Sequence, residues 1–277
     1  MVSDAPREAR SIFGVDALDE FAVYVADWIW GHCNGLANVE IEAKIGTLVD
    51  RNTDERLRFP VLTETIIDAK ALGVRFESNM SMEQHRRYNL LLNELVSYSG
   101  NLLSSEQVQY SHKKEIDAFY DERDDETGKT VHLRVTRDAN TSEIKPNGVV
   151  RKQRIADLNI YSPNRPFDFR ISINTETPMP PPPENSVPSF VREKNRLSYT
   201  HQNSQTDLTQ VSLPKRRDEP LHELEVEVRD PMQLLQLAYD TKDGSGSTDQ
   251  VWTPYEDAVL VLLNTIRLLI RNADSFS

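Results

Sequence analysis

The chain is poor in several things that would each open a line of chemistry. It holds one cysteine among 277 residues, Cys33, so no internal disulfide can form, and a reducing compartment such as cytosol or nucleus is expected. No apolar run approaches a membrane span, mean hydropathy is -0.56, and the N-terminus lacks the apolar core of a signal peptide. No membrane partner is expected. There is no Gly-rich phosphate loop followed by Lys-Ser or Lys-Thr. The six histidines are scattered without zinc spacing, so surface or satisfied-core roles are expected of them. Basic residues are outnumbered 32 to 44, for a net charge of -12. That balance argues against a long electrostatic footprint on nucleic acid, which needs many phosphate contacts. It leaves open the capture of one terminal phosphate group in a basic pocket.

What the chain has is strict alternation in two places. In Val39-Glu40-Ile41-Glu42-Ala43-Lys44-Ile45-Gly46 a β-strand would put Glu40, Glu42 and Lys44 on one face and the apolar residues on the other. The stretch Glu223-Leu224-Glu225-Val226-Glu227-Val228-Arg229 does the same with three glutamates. Such a strand is ordinarily half-buried with its charged face in water. Two ladders of one sign are unusual, because surface faces mix signs and like charges repel. We read them as neighbouring strands of one barrel whose acidic inner face holds a divalent cation.

In order, residues 1–14 are polar and expected to be mobile, and 15–277 form one domain. The pattern Leu18, Phe21, Ala22, Val25, Trp28, Ile29 predicts a helix over 15–33, packed on the outside of the fold or serving as a partner surface. Residues of about 50–110 read as an insertion. In it, 57–62 is a short extended piece broken by Pro60, and a helix runs over 81–98 with Ser81 and Gln84 as its capping box and Gly100 as its stop. Strands follow at 111–120, 130–137, 148–156, 167–176, 190–200, 205–212 and 221–229. Turn signals stand at Asp124 to Gly128, Pro146-Asn147-Gly148 and Pro163 to Pro166. With 39–46 this makes eight, enough to close a barrel with room inside for one small ligand. Pro178 to Pro188 is a stiff surface loop, Asp240 to Gln250 a linker, and 254–272 a last helix with Ala258, Val261, Leu262, Thr265, Leu268 and Leu269 on its core side. The expected fold is therefore α+β: a closed eight-stranded antiparallel barrel, or tunnel, with a polar, charged interior and flanking helices.

The period of two gathers the charges. Lys113, Glu115 and Asp117 share a face, as do His132, Arg134 and Thr136, Lys152 and Arg154, Arg170 and Glu176, and Arg192, Lys194 and Arg196. Asp207 and the three late glutamates complete the set. The opposite faces are largely apolar and need the helices as cover. Buried charges persist only when paired or bound to metal. An interior of this kind suits a highly charged ligand: converging cations for an oxyanion such as a triphosphate, clustered carboxylates for Mg²⁺ or Mn²⁺.

These residues resemble a known family. Glu40-x-Glu42 near the start and Glu223-x-Glu225-x-Glu227 near the end look like the signature of triphosphate tunnel metalloenzymes. The chain more closely resembles the fungal-type mRNA-capping RNA 5′-triphosphatases: 75–85 with Tyr88-Asn89 is similar to a helical insertion of that branch, and 170–176 and 194–199 to its strands. The resemblance implies cation-dependent hydrolysis of the γ-phosphate of nascent RNA. It implies Glu40, Glu42 and Glu227 as metal ligands, and Arg134, Lys152, Lys194, Arg196 and, more weakly, Arg154 as grips on phosphate oxygens. Glu176 would position the attacking water, while Glu223, Glu225, Asp117 and Asp207 would hold those cations and the water around the metal. It further implies a nuclear homodimer that works with mRNA guanylyltransferase and the RNA polymerase II machinery.

Other phosphate chemistries fail on the residues. A cysteine-phosphatase loop needs Arg six residues after its Cys, and here that position is Val39. A covalent lysyl-nucleotide site needs Lys-x-Asp-Gly, and Lys242-Asp243-Gly244 lacks the spacer. Three readings remain: an RNA 5′-triphosphatase, a tripolyphosphatase or nucleoside triphosphatase on the same tunnel, and a non-catalytic anion-binding barrel. The insertion at 75–98 favours the first over the second. The carboxylates disfavour the third, since a pure anion binder gains nothing from them.

Overall fold

The computed structural model describes residues 12, 19–123, 130–214, 216–242 and 253–274. In chain order the elements are α1 (Glu20–Cys33), β1 (Val39–Asp50), β2 (Thr65–Ile67), β3 (Val74–Glu77), α2 (Met82–Ser99), a 3-10 turn (Ser104–Glu106), β4 (Gln109–Arg123), β5 (Thr130–Asp138), β6 (Ile144–Tyr161), β7 (Asp168–Pro178), β8 (Phe190–His201), β9 (Ser204–Leu213), β10 (Arg216–Val228), α3 (Pro231–Lys242) and α4 (Pro254–Asp274). Eight strands run β10-β9-β8-β4-β5-β6-β7-β1, antiparallel throughout, and β1 pairs back onto β10. The ring is closed, so neither β1 nor β10 is left as an unpaired edge. The two short strands lie outside it, β2 on β6 and β3 on β1.

The barrel is turned inside out relative to most small barrels, and the alternation explains why. Ile41, Ala43 and Ile45 of β1, Phe169, Ile171 and Ile173 of β7, and Leu224 and Val226 of β10 are buried, but on the outer face. There they meet Ala22, Val25 and Ile29 of α1, Leu234, Leu235 and Ala238 of α3, and Val259, Leu263 and Ile266 of α4. Each large aliphatic side chain buried this way contributes about 1.5–3 kcal/mol. Two buried hydroxyls pin the layer: Tyr255 donates to the Ala26 carbonyl at 2.8 Å and Tyr88 to that of Leu269 at 3.0 Å. On the far side Leu133, Val135 and Val149 form a smaller cluster, covered by Met179 at the start of the proline-rich loop. With the apolar faces covered, the charged faces can only point inward.

Several expectations need correction. α1 begins at Glu20, capped by Asp19, whose side chain accepts from the Ala22 N–H; residues 1–11 and 13–18, which include nearly all of the expected mobile segment, lie outside the described residues. Residues 57–62 form no strand, and β2 and β3 lie in the same insertion instead. Pro146-Asn147-Gly148 is not a turn but part of β6, where the register slips; the β5–β6 turn falls at 139–143. The turn at Asp124 to Gly128 lies outside the described residues. A helix, α3, takes the chain as far as Lys242, with Pro231 at its first position and Asp230 accepting from the Gln233 N–H. Its start was readable, while 243–250 of the expected linker lie outside the described residues. The core stripe of α4 is rotated: Tyr255, Val259, Leu263 and Ile266 are buried with Leu262 and Leu269, whereas Val261 and Leu268 are more than half exposed. The capping box of α2 stands as expected, Ser81 Oγ accepting from the Gln84 N–H at 3.1 Å and Gln84 Oε1 from the Ser81 N–H at 2.9 Å.

Candidate active site

The inward faces enclose a cavity of about 280 Å³. It is lined by Glu40, Glu42 and Lys44 from β1, Glu115 from β4, Arg134 and Thr136 from β5, Lys145 to Gly148 and Lys152 from β6, Glu176 from β7, Arg192, Lys194 and Arg196 from β8, and Glu223, Glu225 and Glu227 from β10. Every barrel strand but β9 sends a charged side chain into it, and β9 holds Asp207 directly behind.

The acidic side is built by three neighbouring strands. Glu42 is the cross-strand partner of Glu227, and Glu40 that of Asn174. The buried amide of Asn174 holds the pair, Nδ2 donating to Glu40 at 2.8 Å and Glu42 at 3.1 Å. Lys152 lies on the same carboxylates, ion-paired with Glu40 and 3.6 Å from both Glu42 and Glu176. Glu227 is different. Among the described residues no basic group lies within 4 Å of it, and burial together with the charges of Glu40 and Asp207 pushes its carboxyl up to about 8. The buried Asn174 Oδ1 and Asp207 Oδ1 also lack hydrogen-bond partners among the described residues. Among the described residues the carboxylates are not drawn into a finished ligand cage. Their chemistry nevertheless fits a hard divalent cation: an all-oxygen set, one member without an ion-pair partner among the described residues, and two others already gathered round an ammonium.

The basic side is buttressed rather than free. Arg134 Nη2 donates to both oxygens of Glu176, at 2.9 and 3.0 Å. Arg196 Nη1 donates to Asp207 at 3.0 Å. Lys194 Nζ lies 2.9 Å from Asp117 and 3.3 Å from Glu115, and Asp117 also takes Arg192 and the Thr136 hydroxyl. Lys44 Nζ donates to Glu225 at 2.5 Å. Burial alone would raise these carboxyls, but the adjoining cations overcome it. Glu115 and Asp117 are held at about 2, with Lys194 the largest attractive influence on each, and Glu225 falls well below its ordinary range beside Lys44 and Arg196. Burial, with Arg196 nearby, lowers Lys194. An anion entering would relieve that crowding of cations.

Of the residues singled out from sequence, Glu40, Glu42, Glu176, Glu223, Glu225, Glu227, Arg134, Lys152, Lys194 and Arg196 line the cavity. Asp117 and Asp207 stand behind it as buried partners. Arg154 does not join the lining: it is half exposed, paired with Asp157 and donating to Ser172 at 2.9 Å, with Glu42 only at 3.8 Å. The register slip after Arg154 on β6 puts Asp157, the cross-strand partner of Ser172, on the same face, where it takes the guanidinium. Lys113 and His132, placed on inward faces, are exposed. Two residues were missed. Lys145 was hidden by the apparent turn beside it, and Asn174 carries no charge to draw notice. On α1, Trp30 packs edge-on against Tyr239 at 4.6 Å, and Trp28 lies 4.8 Å from His32 of the same helix. Two histidines are not satisfied in the core: His85 and His222 lie 4.7 Å apart, with His85 Nε2 and His222 Nδ1 buried and without a partner among the described residues.

Known proteins share this architecture and sequence. Schizosaccharomyces pombe mRNA-capping enzyme subunit beta is 37% identical over 244 residues, 84% of this chain and 74% of that protein. The Cryptococcus neoformans subunit is 35% identical over 271 residues, 95% of this chain and 64% of that protein. The solved structure of S. pombe Pct1 RNA triphosphatase superposes with a TM-score of 0.83 at 32% identity, over 96% of this chain and 98% of that one. A second structure of Pct1, in complex with the Spt5 CTD, gives 0.82 over 94% and 97%. The family model for the mRNA capping enzyme, beta chain, matches residues 15–275, and the chain belongs to that family.

Proposed function

We propose that this cavity removes the γ-phosphate from 5′-triphosphate RNA with the help of Mg²⁺ or Mn²⁺, leaving a 5′-diphosphate end for capping. The family and the likeness to Pct1 support the RNA 5′-triphosphatase activity. The observation that carries the metal-dependent reading is the meeting, in one cavity, of Glu40, Glu42 and Glu227 with Arg134, Lys152, Lys194 and Arg196. Pure anion capture has no use for the first group, and a pure cation site has none for the second.

Glu40, Glu42 and Glu227 would hold the cation, which when bound neutralises phosphate oxygens and favours attack at the γ-phosphorus. Lys194 and Arg196 meet the triphosphate with their charges aimed inward by Asp117, Glu115 and Asp207. Arg134 and Lys152 flank Glu176. When phosphate oxygens draw those cations, the Glu176 carboxylate is released to accept a hydrogen bond from the attacking water and hold it in line. Glu223 and Glu225 stay as acceptors for Lys44 and its surroundings, keeping the cavity's charge near balance. The RNA body remains outside a cavity of this size, in keeping with the acidic surface, so turnover is indifferent to RNA sequence.

The same reading makes 15–277 one catalytic domain that includes the insertion at about 50–110, and places it in the nucleus with mRNA guanylyltransferase and the transcribing polymerase as working partners. The Spt5 CTD bound to Pct1 supports a partner of that kind. A homodimer is part of the proposal, with the exposed Tyr24 on α1 as one available contact; a monomer by light scattering at micromolar concentration would count against it. Among the described residues no helix is long and apolar enough to cross a membrane.

The test is hydrolysis of γ-labelled 5′-triphosphate RNA with Mg²⁺ or Mn²⁺. Orthophosphate release that stops with chelator and spares 5′-monophosphate ends is the expected result. Pyrophosphate release would mean a different point of attack. Turnover of tripolyphosphate or nucleotides without RNA would move the activity to the alternative substrate class.

A further inference from the structure

We infer that Lys145 is a further phosphate-binding residue of this cavity, carried over its rim by a bulge in β6 and held in reserve on Glu115; the inference rests on the triphosphatase reading above. On β5, Val135 and Arg137 are separated by Thr136 alone, whereas their partners on β6, Val149 and Ile144, are separated by residues 145–148. Four residues therefore oppose one. An interruption of this kind re-aims side chains that a regular strand would alternate.

The interruption is specified by its residues. Asn147 adopts φ 54, in the left-handed region that asparagine tolerates better than most. A Cβ on Gly148 would lie 2.7 Å from both the Lys145 and the Thr136 carbonyl oxygens, so only glycine lets the strands come this close. The result is that Lys145 through Gly148 all line the cavity.

Lys145 Nζ donates to Glu115 Oε1 at 2.5 Å, while Lys194 approaches Oε2 at 3.3 Å. One buried carboxylate thus serves two ammonium groups. They are not equivalent. Lys194 is 6% exposed and has a second, closer partner in Asp117 at 2.9 Å. Lys145 is 27% exposed and, among the described residues, has Glu115 as its one ion-pair partner within 4 Å. Glu115 lines the cavity together with Lys194 and Arg196, so Lys145 is held among the phosphate grips. An incoming polyphosphate draws the less constrained ammonium off Glu115, and Lys194 keeps that carboxylate neutralised. Lys145 then binds a phosphate oxygen as a mobile point charge.

A purely structural Lys145 would give a different signature, and the experiment separates the two. Lys145→Met keeps the length of the side chain without its charge, and Lys145→Arg restores charge. KM and kcat are measured with 5′-triphosphate RNA and with tripolyphosphate. Calorimetric Kd for tripolyphosphate without divalent metal and the thermal midpoint complete the set. Loss of one charge-assisted contact should raise KM and Kd about tenfold in Lys145→Met, with a smaller change in kcat and recovery in Lys145→Arg. Unchanged KM and Kd, or a loss confined to kcat or to the thermal midpoint, overturns the inference. If the wild type binds tripolyphosphate but hydrolyses neither substrate, the triphosphatase reading falls while Kd still decides Lys145. If it does not bind at all, both fall.

Discussion

Glu42 on β1 and Glu227 on β10 face each other as direct cross-strand partners inside the barrel, two carboxylates where a cation would be the usual neighbour. Like charges opposed in this way destabilise a sheet. Asn174 and Lys152 quiet Glu42, but Glu227 is left with its carboxyl pushed up by burial and by Glu40.

Removing that charge should therefore help the fold and harm the function. Glu227→Gln is expected to remove the cost of burying and protonating this carboxyl in the metal-free protein, taken as about 1 kcal/mol, raising Tm by about 2–4 °C for a domain of this size. Triphosphatase activity should fall at least about a hundredfold, with Glu40→Ala and Glu42→Ala alike. Full activity in any of the three with the cation present would remove it from the metal site.

Asp207 touches no substrate in this scheme; it aims Arg196. Asp207→Asn keeps the shape but removes the charge partner 3.0 Å from the guanidinium. Loss of that contact, about 1.5–3 kcal/mol for a charged hydrogen bond, should appear as a KM increase of roughly ten- to a hundredfold. Arg196→Lys, which keeps charge without the planar fork, should lose much of the activity and Arg196→Ala more. If Arg196→Ala behaves as wild type, its side chain has no part in binding.

Much of this site was legible because a strand's period of two is rigid: once Glu40, Lys194 and Glu225 are placed on strands, their faces follow. The barrel's inverted polarity followed from counting charged faces and available helices. What escaped were the places where the period breaks. The slips on β6 hid Lys145 behind an apparent turn and brought Asp157 onto the face of Arg154. Neither slip has a marker in sequence apart from Pro146-Asn147-Gly148, which reads equally as a hairpin loop. On α4 the failure is of another kind. Val261 and Leu268 are as apolar as the residues that are buried, and only the position of the barrel decides which side of the helix is covered.

Gly46 supports a prediction about the insertion. A Cβ there would lie 2.0 Å from the Glu77 carbonyl oxygen and 2.9 Å from the Ser78 Cα, so the backbone after β3 packs against the bare Cα of β1. Ser78 Oγ then donates to Glu223 at 3.4 Å. Gly46→Ala must push residues 77–78 outward, at a cost of about 1–3 kcal/mol. The variant should melt earlier, and proteolysis should cut first between 74 and 80. Unaltered stability and cleavage would mean that this contact is loose in solution.

His85 on α2 and His222 on β10 give the protein an acid limit outside the active site. Their rings lie 4.7 Å apart, both buried, and neither His85 Nε2 nor His222 Nδ1 has a partner among the described residues. Burial, and then the neighbouring His222, push His85 down from 6.5 to about 4; burial lowers His222 as well. The unfolded chain therefore takes up protons at a higher pH than the folded one. Stability is complete above about pH 6.5, declines as pH falls below it, and stops declining from this source below about pH 4. The strain falls on one joint, because the Met80 N–H donates to the His222 carbonyl at 3.0 Å and Asn79 Oδ1 accepts from the His222 N–H at 2.9 Å just before α2 begins. His85→Phe keeps a ring in place and removes one titrating group. Urea unfolding between pH 4 and 7 should show a shallower loss of stability for the variant, while the two proteins' pH dependence stays parallel above pH 7. Equal acid slopes in the two proteins would show that the pair is hydrated and titrates as it would in the unfolded chain.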